Sequence, residues 1–399
     1  MTVETVLKRA IAAHKGGRLT EAEVGYHRVL RDRPNDPDVL NFLGMLRFHQ
    51  GNPEGAVQQL RQAIEINPDN PHARINLGNV LLASKDAEAA HEQFLKASEL
   101  APDLAATWYN LGVCLRRLNR PEDAATALYK ALKLQKGHSQ AHEALSMLLY
   151  RLGRFDEAAD VYRDWLLYDP NSAIARHMLA AMSGEGTPLR GSDEYVATMF
   201  DRFAESFDEN LTELGYRAPQ LLAERLEANV APGAALDILD AGCGTGLAAP
   251  MLKPYARRLV GVDLSTGMLA KARERSLYDD LATGELCAFM QAHPGEFDVV
   301  LSADTLCYFG ALEEPLGAAR LCLRDGGLFL FSLEAWDTAE ATASFDLQRH
   351  GRYRHNAAYL ERVLASSGFS LVSVEPRTLR RERGTDVIGH VVVAAATGK

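Results

Sequence analysis

Cysteine is scarce, with five in 399 residues. Cys114, Cys243, Cys287, Cys307 and Cys322 are an odd, scattered set with no C-x-x-C spacing. That excludes a secreted disulfide scaffold and points to a reducing, cytoplasmic compartment. Long apolar runs are missing too. The longest, Leu328 to Leu333 and Val391 to Ala396, fall far below the roughly 18 residues that a membrane span needs. Met1 to Lys15 has no apolar core of the secretory kind, so no signal peptide and no membrane association are expected. Positive charge is short: 43 Lys+Arg stand against 53 Asp+Glu, a net charge of −10. Nucleic acid is therefore not the expected partner, because backbone binding requires a basic face. No His/Cys cluster has metal-ligand spacing, so no metal is expected.

The deficit is uneven. Residues 1–190 hold 23 basic and 23 acidic residues, which leaves 20 against 30 for the remainder. The whole excess lies in the second half, as two unlike domains would place it.

In the first half a 34-residue period runs through the chain. Pro34, Pro68, Pro102 and Pro170 share it, with Lys136 where a fifth proline would fall. Ala22, Ala56, Ala90, Ala124 and Ala158 repeat in step, each followed four residues later by Tyr26, Leu60, Phe94, Leu128 or Tyr162. Leu43-Gly44, Leu77-Gly78, Leu111-Gly112 and Leu145-Ser146 recur as well. The period predicts a pair of antiparallel helices per unit. Small residues allow close approach, bulky ones fill the space between, and proline ends the second helix. This pattern resembles the tetratricopeptide repeats, giving an all-α solenoid of five units over 3–170. A further amphipathic segment, Ala173 to Met182, is expected to cap it, so that the array covers 1–182. By that resemblance the first helices line a groove for a protein or peptide. Asn76, Asn110, Tyr109 and Arg117 are the candidate contacts, with Asn41, Asn79, Arg116, Tyr150 and Arg151 nearby.

Residues 183–194, beginning Ser-Gly-Glu-Gly-Thr-Pro, read as a linker. Beyond it, short β-branched runs alternate with helical stretches, the signature of an α/β domain with a doubly wound parallel sheet over 195–399. Seven strands are expected: Leu236–Asp240, Leu259–Asp263, Glu285–Phe289, Phe297–Ser302, Leu328–Leu333, Phe369–Glu375 and Val387–Ala394.

The chemistry concentrates at two strand ends. Leu236 to Gly246 reads LDILDAGCGTG: an apolar strand, Asp240, then Gly242, Gly244 and Gly246 in a tight loop where a Cβ would obstruct a ligand. A dinucleotide fingerprint would want glycine at Leu247, and a phosphate loop would want Gly-Lys-Ser/Thr. The second strand ends in Asp263, an acid placed to accept both hydroxyls of a ribose. Together the two ends resemble class I S-adenosylmethionine-dependent methyltransferases. The full order, repeats followed by Leu-Cys-Tyr-Phe-Gly (306–310) and Gly-Arg-x-x-His (351–355), is similar to bacterial predicted methyltransferases with tetratricopeptide repeats.

The resemblance implies S-adenosylmethionine as cofactor. Asp240, Gly242, Cys243, Gly244 and Gly246 would hold its methionine part and Asp263 its ribose. Leu264 and Met268 would flank the adenine, and Glu285 with Leu286 would read the adenine amino group. Tyr195 to Asp208, with Phe200, Phe203 and Phe207 at helical spacing, would fold over it as a lid helix. His355 or His350 is the candidate general base, and Tyr308 or Asp304 would position the acceptor. The arginines between His350 and Arg383 leave room for an anionic acceptor or partner. Three functions fit: methyl transfer to an oxygen or nitrogen of a substrate recruited by the repeats, small-molecule methylation with the repeats used only for assembly, and a non-catalytic scaffold. Neither the acceptor nor the oligomeric state is fixed by the sequence.

Overall fold

The computed structural model describes residues 2–231, 233–336, 343–382 and 384–398. They form two compact units, 1–170 and 171–399.

The first unit is ten helices in five hairpins: α1 (Val3–Lys15) with α2 (Leu19–Asp32), α3 (Pro37–His49) with α4 (Pro53–Ile66), α5 (Pro71–Ala83) with α6 (Ala87–Leu100), α7 (Ala105–Arg117) with α8 (Pro121–Leu134), and α9 (Ser139–Arg151) with α10 (Phe155–Tyr168). Starts are set by side chains that accept the free N–H groups of the first turn. Asp36, Asn52, Asn70 and Asp86 do so, three of them followed by proline at the first helical position. The five periodic alanines are fully buried, as are the five bulky residues that follow them. A Cβ on Gly44, Gly78 or Gly112 would lie 2.6, 2.6 or 2.7 Å from Leu60, Phe94 or Leu128. The fourth such site carries Ser146, whose hydroxyl bonds the Glu143 carbonyl at 3.1 Å. Helix α8 ends at Leu134 although Lys136 replaces the periodic proline. Proline therefore accompanies these helix ends without being required for them. The first helices also meet one another, α1 with α3, α3 with α5 and α5 with α7, so they share one surface.

The second compact unit begins at Asn171. Helix α11 (Ala173–Ser183), expected to cap the array, packs within this unit. His177 stacks on Tyr195 with ring centroids 4.0 Å apart, and its Nε2 donates to the Gly351 carbonyl at 2.9 Å. Residues 183–194, expected as a linker, are fastened to it as well. Gly191 N–H donates to the Tyr308 carbonyl at 2.7 Å, and Gly310 N–H to Leu189 at 2.8 Å. Next come α12 (Asp193–Phe203), a short 3₁₀ turn, α13 (Phe207–Glu213) and α14 (Ala218–Asn229).

The sheet is built from β1 (Leu236–Ala241), β2 (Ala256–Asp263), β3 (Asp280–Thr283), β4 (Phe297–Ser302), β5 (Leu323–Ala335), β6 (Phe345–Leu347), β7 (Tyr353–His355), β8 (Phe369–Glu382) and β9 (Thr385–Ala396). Between them lie α15 (Ala249–Leu252), α16 (Thr266–Glu274), α17 (Leu286–Ala292), α18 (Glu313–Cys322) and α19 (Ala357–Ser366). Strands β3-β2-β1-β4-β5 are parallel neighbours in that order; β9 then runs antiparallel to β5 and pairs with β8. Two strands that the sequence did not suggest, β6 and β7, extend the end of β5, so that nine lie among the described residues. One expectation fails. Glu285–Phe289 is not a strand: Glu285 caps α17, and the third strand is the half-exposed run Asp280–Thr283. Alternate residues fill the two faces, Leu239, Val260, Val300 and Phe331 on one, Ile238, Leu259, Leu301 and Leu330 on the other.

Candidate functional site

The carboxyl ends of β1, β2 and β4 open onto a single cleft. In parallel sheets this is where ligands bind, because the connections diverge at the strand-order reversal. The cleft holds about 1160 Å³ of space outside the protein atoms, its open mouth included.

After β1 the chain turns through Gly242 and Gly244, with φ of 77° and 54°. Gly242 and Cys243 donate their N–H groups to the Val262 carbonyl at 2.9 and 3.1 Å, which ties the loop to β2. Asp263, at the end of β2, accepts from Gly244 N–H through Oδ2 and from Ser265 N–H through Oδ1, both at 2.8 Å. The backbone N–H of Leu264 adds a third bond, so the carboxylate, with about four acceptor positions, keeps only part of its acceptor capacity for a ligand. Burial pushes this carboxyl above the usual range, partly offset by those N–H groups. Asp240 is buried and accepts a hydrogen bond from the Tyr278 hydroxyl at 2.6 Å. Its pKa is pushed up to about 7, mainly by burial and secondarily by the nearby Asp263 charge, against the Tyr278 bond. Burial also pushes the Cys243 thiol well up, which makes it a space-filler rather than a nucleophile.

Of the residues expected to hold a ligand, Asp240, Gly242, Cys243, Gly244, Asp263, Leu264, Glu285 and Leu286 line the cleft. Gly246 and Met268 do not. Gly246 (φ 80°) makes room for Tyr278, which would lie 3.0 Å from a Cβ there. Met268 is fully buried in α16. Glu285 has other work at the rim. Its Oε2 accepts from Ala288 N–H at 2.7 Å and its Oε1 from Arg190 at 3.0 Å.

The expected lid helix is broken at residues 204–206 by the 3₁₀ turn. Phe200 and Phe207 lie on either side of that break, edge to face at 5.8 Å, and both line the cleft; Phe203 is exposed instead. Two aspartates of this segment fasten it, and their roles had no sequence signature. Asp201 accepts from Ser265 Oγ at 2.5 Å and from Gly267 N–H at 3.0 Å. Asp208 accepts from Thr245 Oγ1 and pairs with Arg275, each at 2.5 Å.

At the β4 end, Asp304 and Tyr308 line the cleft as expected, joined by Tyr216, Thr305, Arg352 and Arg380, which the motifs did not reveal. The histidines do not join them. His355 is buried in β7, with Nε2 donating to the Gly310 carbonyl at 3.1 Å and burial pushing its pKa down to about 4. His350 sits beside Glu334, 3.5 Å away, with its pKa lowered chiefly by burial. Among the described residues no histidine lines the cleft. The arginine-rich segment is not a free basic patch either. Arg352 and Arg380 share Glu334 and Glu382, Arg354 pairs with Asp346 at 2.8 Å, Arg377 with Glu375 at 2.7 Å and Arg381 with Asp386 at 2.9 Å. Arg383 lies outside the described residues.

In the first unit, the Asn76 amide donates to Asn41 Oδ1 at 2.8 Å, and Tyr109 packs on His138 with ring centroids 4.9 Å apart. Asn110 is half-buried and Arg117 exposed. Among the described residues no group of His, Cys, Asp and Glu could hold a metal ion, and no helix is long and apolar enough to cross a membrane.

Residues 239–331 match the model of a methyltransferase domain. Tetratricopeptide-repeat models match residues 7–71, 47–112 and 115–182. A malonyl-[acyl-carrier protein] O-methyltransferase of Yersinia pestis is 30% identical over 170 residues, 41% of this chain and 60% of that protein. Methyltransferase-like protein 27 of Homo sapiens is 40% identical over 113 residues, 27% of this chain and 45% of that protein. The chain thus spans about half the length of these curated relatives. Among solved structures, a putative S-adenosylmethionine dependent methyltransferase from Listeria monocytogenes aligns with a TM-score of 0.35 at 19% identity, over 45% of this chain and 99% of that one.

Proposed function

Because the chain carries tetratricopeptide repeats followed by a methyltransferase domain, we propose that it transfers the methyl group of S-adenosylmethionine to an oxygen or nitrogen acceptor. In this reading the repeat array recruits the protein or peptide that is, or carries, the substrate. The observation that carries it is the pairing of the glycine loop with Asp263: two adjacent strand ends joined by the Gly244 N–H bond, with part of the carboxylate's acceptor capacity left over. That remainder suits a ribose hydroxyl. Leu264 and Leu286 offer apolar walls for a flat base, and the backbone from Gly242 to Thr245 lets the amino-acid end approach. The cofactor supplies an activated methyl; the chain's own residues bind it, align the acceptor and keep water out. Phe200 and Phe207 do the last of these.

The state of Asp240 gives a test of charge. With its pKa near 7 in the free protein, it is mostly protonated at pH 6. A cationic ligand favours the carboxylate and draws that proton off. Affinity for S-adenosylmethionine is therefore expected to rise from pH 5 to 7 and then level. Calorimetry at pH 6 in buffers of different ionisation heat should show close to one proton released per ligand, and Asp240→Asn should show none. The same shift makes the free fold lose stability as pH rises from about 4 to 7, since the folded state binds the extra proton there.

A repeat array is superfluous for a freely diffusing metabolite, and the acyl-carrier substrate in the name of the Yersinia relative supports a carrier-borne one. The test is methyl labelling of a cell lysate with isotopically labelled cofactor, comparing the full chain with residues 171–399. The full chain should label a discrete set of proteins that the shorter one labels several-fold less. Equal labelling would remove the recruiting role, and no labelling by either would remove methyl transfer.

A further inference from the structure

Asp304 stands at the first residues past β4, next to the glycine loop, since Thr305 Oγ1 donates to the Gly242 carbonyl at 3.3 Å. Its φ of 54° is one that few residues with a Cβ adopt, and such strain persists where surroundings enforce it. Here its own N–H is held by Ser332 Oγ at 2.9 Å and its Oδ2 by Arg380 Nη1 at 2.8 Å. The other oxygen, Oδ1, is buried and accepts from no group among the described residues. A buried carboxylate oxygen without a donor is costly and calls for an explanation. The cations beside it are committed elsewhere. Arg380 spends its three nitrogens on Asp304, Glu334 and Glu382, and Arg352 pairs with Glu334 and Glu382, although its Nε, 2.8 Å from Glu334, lacks the geometry of a hydrogen bond. Tyr216, Tyr308 and Phe200 supply aromatic walls. The cleft wall thus carries a carboxylate oxygen without a donor, in a cluster where Asp304, Glu334 and Glu382 outnumber Arg352 and Arg380 and aromatic rings stand beside it, which suits an amine.

We propose that the methyl acceptor is an amine nitrogen whose N–H is held by Asp304 Oδ1. The inference rests on the methyltransferase reading and narrows it. An amine that arrives as an ammonium first gives up one proton, by way of the Asp304 carboxylate, to water. The nitrogen lone pair so freed forms a bond to the methyl carbon, while the bond from that carbon to the donor's sulfur breaks with its electron pair remaining on sulfur. The nitrogen keeps its hydrogens and becomes an N-methylammonium. Asp304 stabilises the new charge, and one proton then leaves by way of its carboxylate to water. A hydroxyl acceptor brings no positive charge for that carboxylate to hold, and a carboxylate acceptor would set two anions face to face.

Full-length protein, with and without S-adenosylhomocysteine, is titrated with benzylamine, benzyl alcohol and benzoate and followed by saturation-transfer NMR. Benzylamine should bind at least about 10-fold more tightly than benzoate. Asp304→Asn should lose that preference with its melting temperature checked in parallel. Equal or tighter benzoate binding by the natural protein overturns the proposal, as does an unchanged preference in a folded Asp304→Asn; should that variant fail to fold, the natural protein's preference still decides. Labelled lysate proteins give the second readout: methyl groups stable to base sit on nitrogen, whereas base-labile methyl esters overturn the amine. Absence of any label, by contrast, counts against methyl transfer itself and leaves the probe preference to decide the role of Asp304.

Discussion

Replacing Arg380 by methionine is expected to destabilise the second unit by about 3–5 kcal/mol, the usual cost of removing one partner from a buried ionic cluster. Arg380 is 1% exposed yet touches three carboxylates: Asp304 at 2.8 Å, Glu382 at 2.7 Å and Glu334. Without it they share Arg352 and His350 alone. Burial by itself would raise Glu334, but Arg352, His350 and Arg380 together hold it below the usual range; Glu382, likewise opposed by burial, is held down to about 2. The sign follows from those depressed values. In the natural protein the stabilisation is present above the ordinary carboxyl pKa and fades as pH falls toward 2. In the variant the glutamates protonate more readily, so the difference between the two proteins should be full above about pH 4.5 and shrink below it. Urea unfolding followed by circular dichroism at several pH values measures this, and a pH-independent difference would mean that packing rather than charge is at stake.

Gly242→Val is expected to weaken S-adenosylmethionine binding at least about 100-fold, roughly 2.7 kcal/mol. Two effects combine. At φ of 77° a β-branched residue is an outlier, and a Cβ there would run into the Thr305 side chain. Relief requires moving either the loop that abuts Asp263 or the turn that carries Asp304. Gly295→Ala is the matched control. Its φ is 67° with nothing within 4 Å of a Cβ, so it bears backbone strain without reaching the cleft. Calorimetry on both variants should find the second one binding like the natural protein. If both lose binding alike, general destabilisation is responsible.

How far the sequence speaks differs between the two halves for a physical reason. A solenoid repeats one packing problem, so Ala56, Gly44 and Leu60 announce themselves by recurring at 34-residue intervals. Lys136 shows the limit of that logic: the helix it follows stops in register anyway. In the α/β half the glycine loop and Asp263 are legible because backbone geometry and ribose chemistry admit few residue types. The third strand was misplaced because Leu286 to Met290 reads as an apolar run, while the real edge strand, Asp280–Thr283, is too short and exposed to show a pattern. The helix after it is betrayed only by Glu285 as a cap. His355 was a reasonable base by chemistry alone, but period-two alternation does not say which face of a three-residue strand is buried. Arg352 and Arg380 were the hardest to foresee. Glu382 is a local neighbour of Arg380, two residues on along β8, but Glu334 on β5 and Asp304 past β4 are far away in sequence, and no local spacing links them to Arg352 or Arg380. An arginine-rich stretch reads as exposed until the ion pairs are seen.

The central claim is that the cleft at the ends of β1 and β2 holds S-adenosylmethionine through Asp263 and the glycine loop. Isothermal calorimetry of the natural chain and of Asp263→Asn tests it most directly. The expected result is one molecule bound per chain, with affinity falling at least about 100-fold in the variant, since a bidentate charged acceptor is worth on the order of 1.5–3 kcal/mol per hydrogen bond. No heat from the natural protein, or equal affinity in a folded Asp263→Asn, would contradict it.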